Sequence, residues 1–315
     1  MQNKNFIQRL NCPACKSQDV LSIYRCGFTE SPIKEYLLSF YSPQGYIELD
    51  YLDGATYSLI QCKGCGLIYQ DEIPNDQLME RLYEKWIDPQ ITLKRRTEED
   101  SLTLYSYYAQ EIMQILAYMD KNPGELTFFD FGMGWGKWAR MAKAFGCDAC
   151  GLEMSKQRID YAKSDCIDNI SWNDIPAHAF DLINTEQVFE HIAEPLDTLC
   201  YLKKSLKKNG LIKISVPDGG DMKRRLRIMD WSAPKGSRNS LNPVAPLEHI
   251  NCFNTGAIIK MAEIAGLEAV YIPILKQYQY ATGWCQTKRI LKNVLLPIYR
   301  NIFRKGAYIF FRSKE

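Results

Sequence analysis

Four cysteines near the start of the chain have the spacing of metal ligands. Cys12 and Cys15 form one C-x-x-C pair, and Cys62 and Cys65 form a second. Two residues between thiolates let the backbone turn tightly and direct both sulfur atoms at one ion, and two such pairs complete the tetrahedral sulfur shell that zinc prefers. Because four thiolates leave no open position for water or substrate, the pattern predicts a structural zinc ion.

The surroundings of these pairs indicate a zinc ribbon with an insertion. Gly66 follows the second pair, where a turn needs positive φ. Residues 16–61 separate the pairs, and strand-like sequences at 46–49 and 57–60 predict a small strand-rich insertion. A third pair of the same spacing, at Cys147 and Cys150, falls in a predicted strand, whose alternating side chains cannot converge on an ion.

Composition narrows the class of protein. The 315 residues are 46% hydrophobic and 24% charged, which is typical of a globular protein of about two domains. There is no apolar run near the roughly 20 residues of a membrane span, and the first eleven residues lack the apolar core of a secretion signal. We therefore expect a cytoplasmic location, where disulfides rarely persist and metal binding is the leading explanation for paired cysteines.

A second group of chemistry-bearing residues lies where a predicted strand meets a predicted helix. Gly132, Gly134 and Gly136 follow the apolar sequence 126–131 and would let the backbone approach a ligand closely. Glu153 comes 17 positions after the last glycine, at the end of the next predicted strand. A carboxylate there can accept hydrogen bonds from both hydroxyls of a ribose, so the pattern predicts a nucleoside cofactor.

Two nucleoside cofactors fit this pattern, a dinucleotide such as NAD and S-adenosylmethionine. The dinucleotide motif is G-x-G-x-x-G, whereas this chain has G-x-G-x-G, with Asp130 two residues before the first glycine. A carboxylate so close would repel a pyrophosphate but suits an ammonium group. The spacing therefore favours S-adenosylmethionine, with an NAD oxidoreductase as the alternative.

From residue 98 onward the chain resembles the class I S-adenosylmethionine-dependent methyltransferases. The resemblance rests on four sequences in the family's order: 130–136, 151–155, 180–195 and 206–217. It implies an α/β fold with a Rossmann-like, seven-stranded sheet, here preceded by the small zinc-ribbon domain. The predicted domains are residues 1–97, with the ribbon, and 98–315, with the methyltransferase.

The resemblance also implies a set of cofactor-binding residues. Glu153 would hold the ribose, Met154 would pack on the adenine, and Asp174 would meet the adenine amino group. The end of the fourth strand would face the methyl-transfer site. The full set is Asp130, Gly132, Gly134, Gly136, Glu153, Met154, Asp174, Thr185, Glu186 and Gln187.

A ribbon placed before such a domain resembles methyltransferases that act on nucleotide-linked sugars and other small molecules of polysaccharide or secondary-metabolite assembly. The expected acceptor is therefore a sugar-linked or other anionic metabolite. The alternatives are an RNA or protein methyltransferase that uses the ribbon to recognise its substrate, and a non-catalytic interaction module. Residues 1–275 lack the basic excess typical of nucleic-acid binders.

Methyl transfer to a hydroxyl or carbon acid needs a base, and two histidines are candidates. His249 follows a proline-rich loop that crosses the active site in the superfamily, and His191 lies in a sequence common there. Arg224 and Arg225 could bind an anionic acceptor, and Trp231 could stack on it or cap the core.

The basic excess of the chain is confined to its end. Residues 276–315 contain nine lysines or arginines and one acidic residue, interleaved with apolar residues. This pattern predicts a helical insertion before a last core strand near 307–311, with contact to an anionic membrane surface as a further hypothesis. The sequence does not predict an oligomeric state.

Overall fold

The computed structural model describes residues 3–98, 100–282, 284, 287–302 and 308–314. The chain forms two compact units. Unit 1 comprises Met1–Arg95, Phe189–Thr198 and Val216–Ile264, and unit 2 comprises Arg96–Val188, Leu199–Ser215 and Ala265–Glu315. Unit 1 thus joins the predicted ribbon region to two later segments that the sequence places in the second domain. The predicted division at residue 97 stays a prediction about which parts fold independently.

The strands and helices alternate irregularly at first and then in β–α order. The strands are β1 (Phe6–Gln8), β2 (Val20–Gly27), β3 (Thr56–Cys62), β4 (Ile68–Gln70), β5 (Glu72–Pro74), β6 (Thr127–Phe131), β7 (Asp148–Leu152), β8 (Asp168–Asn169), β9 (Phe180–Glu186), β10 (Leu206–Ser215), β11 (Asn251–Cys252), β12 (Leu267–Val270) and β13 (Tyr308–Ser313). The helices are α1 (Ile33–Tyr41), α2 (Asp76–Arg81), α3 (Pro89–Glu98), α4 (Leu102–Met119), α5 (Lys137–Ala144), α6 (Lys156–Ser164), α7 (Pro195–Lys203), α8 (Met222–Ile228), α9 (Thr255–Ile264), α10 (Ile274–Gln279) and α11 (Thr287–Ile302).

Unit 2 contains the sheet that the sequence predicts. Seven strands of its described residues form one sheet in the order β12-β13-β10-β9-β6-β7-β8. β13 is antiparallel to both of its neighbours, and the pairs among β10, β9, β6, β7 and β8 are parallel. The central strands are short apolar runs because a parallel sheet is covered on both faces. The predicted α/β, Rossmann-like fold is confirmed.

Helices flank this sheet where the sequence patterns place them. α4 precedes the first parallel strand and begins at Leu102, after Ser101 caps it by accepting a hydrogen bond from the Leu104 amide. α10 and α11 lie between β12 and β13, so the predicted helical insertion before the last strand is confirmed. One core cluster of unit 2 is formed by apolar residues of α4, α5 and the strands, including Ile112, Phe128, Trp138 and Leu182.

Unit 1 has antiparallel sheets and an aromatic core. β11, β4, β3 and β2 form one sheet in that order, and β1 pairs with β5. β11 reaches this sheet from far along the chain, with Cys252 opposite Ile68. The buried core cluster of unit 1 includes Tyr41, Tyr57 and Trp86. Sequence patterns cannot reveal such a pairing, because a two-residue strand carries no periodic signal.

Of the two strands predicted in the insertion between the cysteine pairs, one is observed and the other is not. Residues 57–60 lie within β3, as predicted, but 46–49 form no strand, because 46–48 are irregular and Leu49 begins a short 3-10 turn, Leu49–Leu52. The carboxylate of Glu48 accepts hydrogen bonds from Arg81 and from the indole of Trp86. These tertiary contacts hold the segment in an irregular conformation that local alternation does not predict. The insertion also contains α1, which the sequence analysis does not predict.

None of the helices in the described part of the chain has both the length and the apolar character needed to cross a membrane.

Candidate active site

The glycine turn of unit 2 is shaped to admit a ligand. It joins β6 to α5, and Gly132, Gly134 and Gly136 have φ values of 73°, 55° and 70°, a region that glycine adopts without strain. A Cβ at Gly132 would lie 2.6 Å from the Val188 side chain, whereas a Cβ at Gly134 would meet no atom within 4 Å. The turn is therefore closed by packing at its first glycine and open beside its second.

The acidic residue at the end of β7 is held in a fixed orientation. One carboxylate oxygen of Glu153 accepts hydrogen bonds from the amides of Met154 and Ser155, at 2.9 and 3.0 Å. Its other oxygen lies 3.7 Å from Arg158. Met154 beside it is 90% exposed, which is unusual for a large apolar side chain and suits a ring-stacking partner. An open glycine turn, a fixed carboxylate and an exposed apolar side chain together fit a nucleoside cofactor.

Asp130 is buried at the end of β6 and is held by its neighbour strand. Its carboxyl accepts a hydrogen bond of 2.7 Å from the side-chain amide of Asn184 on β9. Burial raises the pKa of Asp130 to about 7, and the bond from Asn184 and the charge of Lys213 only partly offset this. The predicted contact of Asp130 with a cofactor ammonium group stays a prediction.

A buried ion-pair network lies in the same unit, and sequence reasoning missed it. Lys213 on β10 is fully buried, and its ammonium group lies 2.7 Å from Glu111 and 2.6 Å from Glu186. Glu111 also accepts a hydrogen bond from the indole of Trp138. The signal available in the sequence was a lysine inside the apolar run 211–216. The network fixes the side chain of Glu186, one of the predicted cofactor residues.

The remaining predicted cofactor residues lie in three different settings. Asp174 is in an exposed 3-10 turn, Trp172–Asp174, and accepts a hydrogen bond from the Ser171 hydroxyl. Thr185 is buried, and its hydroxyl donates to the backbone carbonyl of Lys213. Gln187 has a φ of 56° just after β9. Their predicted roles toward the cofactor stay predictions.

Unit 1 brings the four predicted metal ligands together. The sulfur atoms of Cys12, Cys15, Cys62 and Cys65 all lie within 4.8 Å of one another, with 3.6 Å between Cys12 and Cys65 and 3.4 Å between Cys15 and Cys62. A tetrahedral zinc ion with bonds of about 2.3 Å holds its sulfur ligands about 3.8 Å apart, so the cluster fits zinc. We call these four residues the cysteine cage.

The two turns of the cysteine cage have matching geometry. The residue after each second cysteine has positive φ, 60° at Lys16 and 81° at Gly66. In each turn the amide of that residue donates to the carbonyl of the first cysteine, at 2.8 and 2.9 Å. The third pair is confirmed as a strand feature, because Cys150 lies in β7 and Cys147 immediately before it.

Both candidate histidines belong to unit 1 and lie against each other. The ring centroids of His191 and His249 are 4.9 Å apart. The Nδ1 atom of His191 is 2.8 Å from the carbonyl oxygen of Glu248, and that of His249 hydrogen-bonds to the carbonyl of Asn242. Burial, followed by the neighbouring His191, lowers the pKa of His249 to about 3. His249 is therefore neutral at pH 7, and a general base with so low a pKa is weak.

The predicted acceptor-binding residues make contacts within unit 1. Arg224 donates to Asp221 and to the side chain of Asn239, and Arg225 donates to the carbonyl of Ser240. Trp231 is half-buried among the rings of three tyrosines, with centroid distances of 5.2 to 6.2 Å. These contacts favour the alternative in which Trp231 caps the core.

The sheet order and the glycine turn of unit 2 define a nucleoside-cofactor fold of the methyltransferase type. The chain belongs to the methyltransferase-domain family, which matches residues 103–272. The chain is accordingly an S-adenosylmethionine-dependent methyltransferase, as the sequence motifs predict. The site residues above keep their roles as predictions. No curated protein matches the chain.

Three solved structures illustrate the likeness. An S-adenosylmethionine-dependent methyltransferase from Aquifex aeolicus is 15% identical, with coverage of 56% of this chain and 89% of its own and a TM-score of 0.41. The plantazolicin methyltransferase BpumL, solved in complex with S-adenosylhomocysteine, is 14% identical over 75% of this chain and 94% of its own, with a TM-score of 0.46. A methyltransferase from Mesorhizobium loti is 14% identical over 62% and 94%, with a TM-score of 0.41.

Proposed function

We propose that this methyltransferase acts on a small, anionic acceptor, a sugar-linked or similar metabolite of polysaccharide or secondary-metabolite biosynthesis. The observation that carries the proposal is a concentration of exposed positive charge in one segment of unit 1. Lys223, Arg227, Lys235 and Arg238 are all exposed there, and a phosphate or carboxylate is the natural partner of such a group.

The chemistry divides between positioning the cofactor and positioning the acceptor. The bound cofactor supplies an electrophilic methyl group, and in-line transfer needs the acceptor atom to be held opposite it. In unit 2, the open side of Gly134 would admit the cofactor, and the fixed carboxylate of Glu153 would accept the ribose hydroxyls. In unit 1, His249 and His191 stay the candidates for handling the acceptor proton, with His249 neutral and its ring fixed by Asn242.

Label transfer tests the class of acceptor. The purified chain is incubated with S-adenosylmethionine labelled in its methyl group and, in separate reactions, with a mixture of nucleotide sugars and small carboxylic acids, bulk RNA, or cell protein. We expect label only in the small-molecule reaction. Label in RNA or protein instead would establish the macromolecular alternative, and calorimetry that detects no binding of S-adenosylmethionine would favour a non-catalytic module.

A matched pair of variants tests the anionic character of the acceptor. Replacing Lys235 and Arg238 together by alanine removes two exposed charges of the segment. We expect the KM for the acceptor to rise at least about tenfold, since the loss of even one charge-assisted contact costs about 1.5–3 kcal/mol. Lys260→Ala, at another exposed lysine of unit 1, is the control and should leave KM unchanged. Equal KM values for all three proteins would contradict an anionic acceptor.

The cytoplasmic location and the membrane contact of the basic tail stay predictions. Within the described part of the tail, α11 exposes Leu291 and Leu295, which are 61% and 53% accessible. Apolar and basic residues on one helix favour binding to an anionic interface. Co-sedimentation with anionic vesicles at low salt tests this, and recovery of all protein in the supernatant would exclude it.

A further inference from the structure

A cluster of two imidazoles and a carboxylate lies in unit 1, apart from the cysteine cage. Potential ligand atoms of Glu190, His191 and His249 all lie within 4.8 Å of one another. The Nε2 atom of His191 is 3.8 Å from a carboxylate oxygen of Glu190. Ligands at about 2.1 Å from one ion lie roughly 3.0–3.4 Å apart, so the cluster is within a small side-chain movement of a coordination sphere.

The two chain segments that carry the cluster are held together by one asparagine. Glu190 and His191 lie in a 3-10 turn, Phe189–His191. The side-chain amide of Asn251 donates to the carbonyls of Phe189 and Ile192, at 2.9 and 2.7 Å. Asn251 is only two residues after His249 and begins β11. The relative position of the two segments is therefore fixed by hydrogen bonds from Asn251 to the backbone of the turn.

The ring orientations are those of metal-binding histidines. Each Nδ1 faces a backbone carbonyl, that of Glu248 for His191 and that of Asn242 for His249. An Nδ1–H that donates to a carbonyl places the lone pair on Nε2, and metal-ligating histidines are generally oriented in this way. With Nδ1 of each ring on a carbonyl, Nε2 is the candidate ligand atom of both histidines.

The burial of the Glu190 carboxylate favours the binding of a cation by the cluster. The side chain of Glu190 is 1% exposed, and a buried carboxylate is costly unless positive charge or hydrogen bonds compensate it. A divalent ion shared with the two imidazoles would supply such a charge. Two imidazoles and one carboxylate are the donor set that suits Zn²⁺, Fe²⁺, Mn²⁺ or Co²⁺ and leaves positions open on the ion.

We propose that Glu190, His191 and His249 form a binding site for a divalent transition-metal ion, distinct from the cysteine cage. Its open positions would accept oxygen ligands. If the proposed function holds, an acceptor hydroxyl would be one of them, because a metal ion lowers the pKa of a bound hydroxyl, and the two histidines would then act on the acceptor proton as ligands of that ion. The binding site itself does not depend on that role.

Metal stoichiometry tests the site on the full chain. Protein loaded with one zinc ion per chain is titrated with Co²⁺, and in parallel with Zn²⁺, and the bound metal is measured by elemental analysis after removal of free ions. We expect a second ion per chain in both cases. Bound Co²⁺ should give d–d absorption without a thiolate charge-transfer band, since its ligands are nitrogen and oxygen. A stoichiometry of one with both metals overturns the proposal.

Variants locate the second ion. Glu190→Gln, His191→Ala and His249→Ala should each weaken its binding at least tenfold, and His178→Ala is the matched control. His178 lies in unit 2, where its ring contacts the carbonyl of Leu206, and its variant should retain the second ion. Retention of the second ion by all three cluster variants would place it elsewhere and refute the site.

Further measurements distinguish loss of the ion from loss of folding, and the metal site from the proposed function. Zinc content of the cysteine cage and the melting temperature report whether a variant has folded, and Glu190→Gln keeps the shape of the side chain if the histidine variants do not fold. Binding of S-adenosylmethionine by the same samples separates the two proposals. A wild-type chain that takes up no second ion but binds the cofactor refutes the metal site alone, whereas a wild-type chain that binds the ion but transfers no methyl group refutes the proposed function alone.

Discussion

Unit 2 pairs one buried lysine with two carboxylates, whereas unit 1 places a buried carboxylate beside two imidazoles. In unit 2 the ammonium group of Lys213 lies within 2.7 Å of both Glu111 and Glu186. In unit 1 Glu190 lies beside His191 and His249. The first arrangement pairs carboxylates with an ammonium group of the chain itself, and the second is the donor set that we propose binds a metal ion. The comparison therefore sets an ion-pair network that stabilises the fold against a candidate ligand-binding cluster.

The cysteine cage sharpens this comparison, because it connects to both histidine segments of unit 1. Lys16, in the first turn of the cage, forms ion pairs with Glu194 and Asp197, which follow His191. The second turn accepts a hydrogen bond at the Gly66 carbonyl from Asn254, which follows His249. A metal ion in the cage would therefore order the segments that carry the histidines as well as the ribbon itself.

Among the predictions, loss of the cysteine cage should have the largest effect on stability. Cys62→Ser should abolish zinc binding and unfold much of unit 1, since metal binding by such sites is worth on the order of 10 kcal/mol of folding free energy. Hydrogen exchange should show the loss of protection in β3 and β4, with β6 and β9 of unit 2 still protected. Cys147→Ser changes a buried cysteine outside the cage and should keep zinc. Full protection of β3 in Cys62→Ser would contradict a structural role for the cage.

Disruption of the ion-pair network of unit 2 should cause the next largest loss of stability. Lys213→Met leaves two carboxylates without their buried cation, and removing one partner of a buried pair costs about 3–5 kcal/mol. Lys207→Met is the matched control on the same strand, because the pair of Lys207 with Asp181 is partly exposed and should cost about 1 kcal/mol or less. Urea unfolding measures both.

A second substitution tests the cause of that loss. Adding Glu111→Gln to Lys213→Met removes one of the stranded charges and should restore part of the stability. If Lys213→Met costs no more than Lys207→Met, the network is not what stabilises unit 2, and the contrast with unit 1 fails.

Local sequence patterns predicted most of the structure of unit 2 and much less of the structure of unit 1. The strand, glycine turn and helix around Gly134 are contiguous in sequence, so their geometry follows from residue types that only one backbone path satisfies. The cysteine cage was also readable, because the spacing within each pair is local. In both cases the chemistry depends on neighbours in the chain.

The parts that sequence could not reveal depend on contacts between distant segments. Pairing of β11 with β4 brings His249 into unit 1, and Asn251 joins it to the turn that holds His191. Lys213 interrupts an apolar strand, and its role is visible only in its contact with Glu111 of α4, which is distant in the sequence. Such contacts are set by tertiary packing, and a single sequence without periodicity at those positions does not specify them.

A pair of glycine substitutions compares open turns in the two units. Gly134 and Gly236 both have positive φ, 55° and 80°, and neither Cβ would meet an atom within 4 Å. Alanine at either position should therefore cost about 1–2 kcal/mol through backbone strain alone. We expect Gly134→Ala to weaken S-adenosylmethionine binding at least tenfold in calorimetry, because the added methyl group fills the open side of the cofactor turn. Gly236→Ala should bind normally, and equal weakening by both would show that strain, not occupancy, is responsible.

The smallest expected effect is a pH dependence of cofactor binding that arises from Asp130. Burial raises the pKa of this carboxyl more than the charge of the neighbouring Lys213 lowers it. Its pKa is raised to about 7, so about half of the molecules carry the proton at pH 7. A cofactor cation bound nearby would favour the carboxylate and release about half a proton at that pH. Binding should therefore weaken as pH falls below 7, where a full proton must be displaced.

Calorimetry in two buffers of different ionisation enthalpy measures this proton release. Asp130→Asn is the control, since an amide has no proton to lose and its hydrogen-bonding contact with Asn184 can persist after a side-chain flip. Proton release in the wild-type chain and none in Asp130→Asn would show that Asp130 pairs with the cation of the bound cofactor. An affinity that does not change between pH 6 and 8 would instead place Asp130 with the structural charges of unit 2.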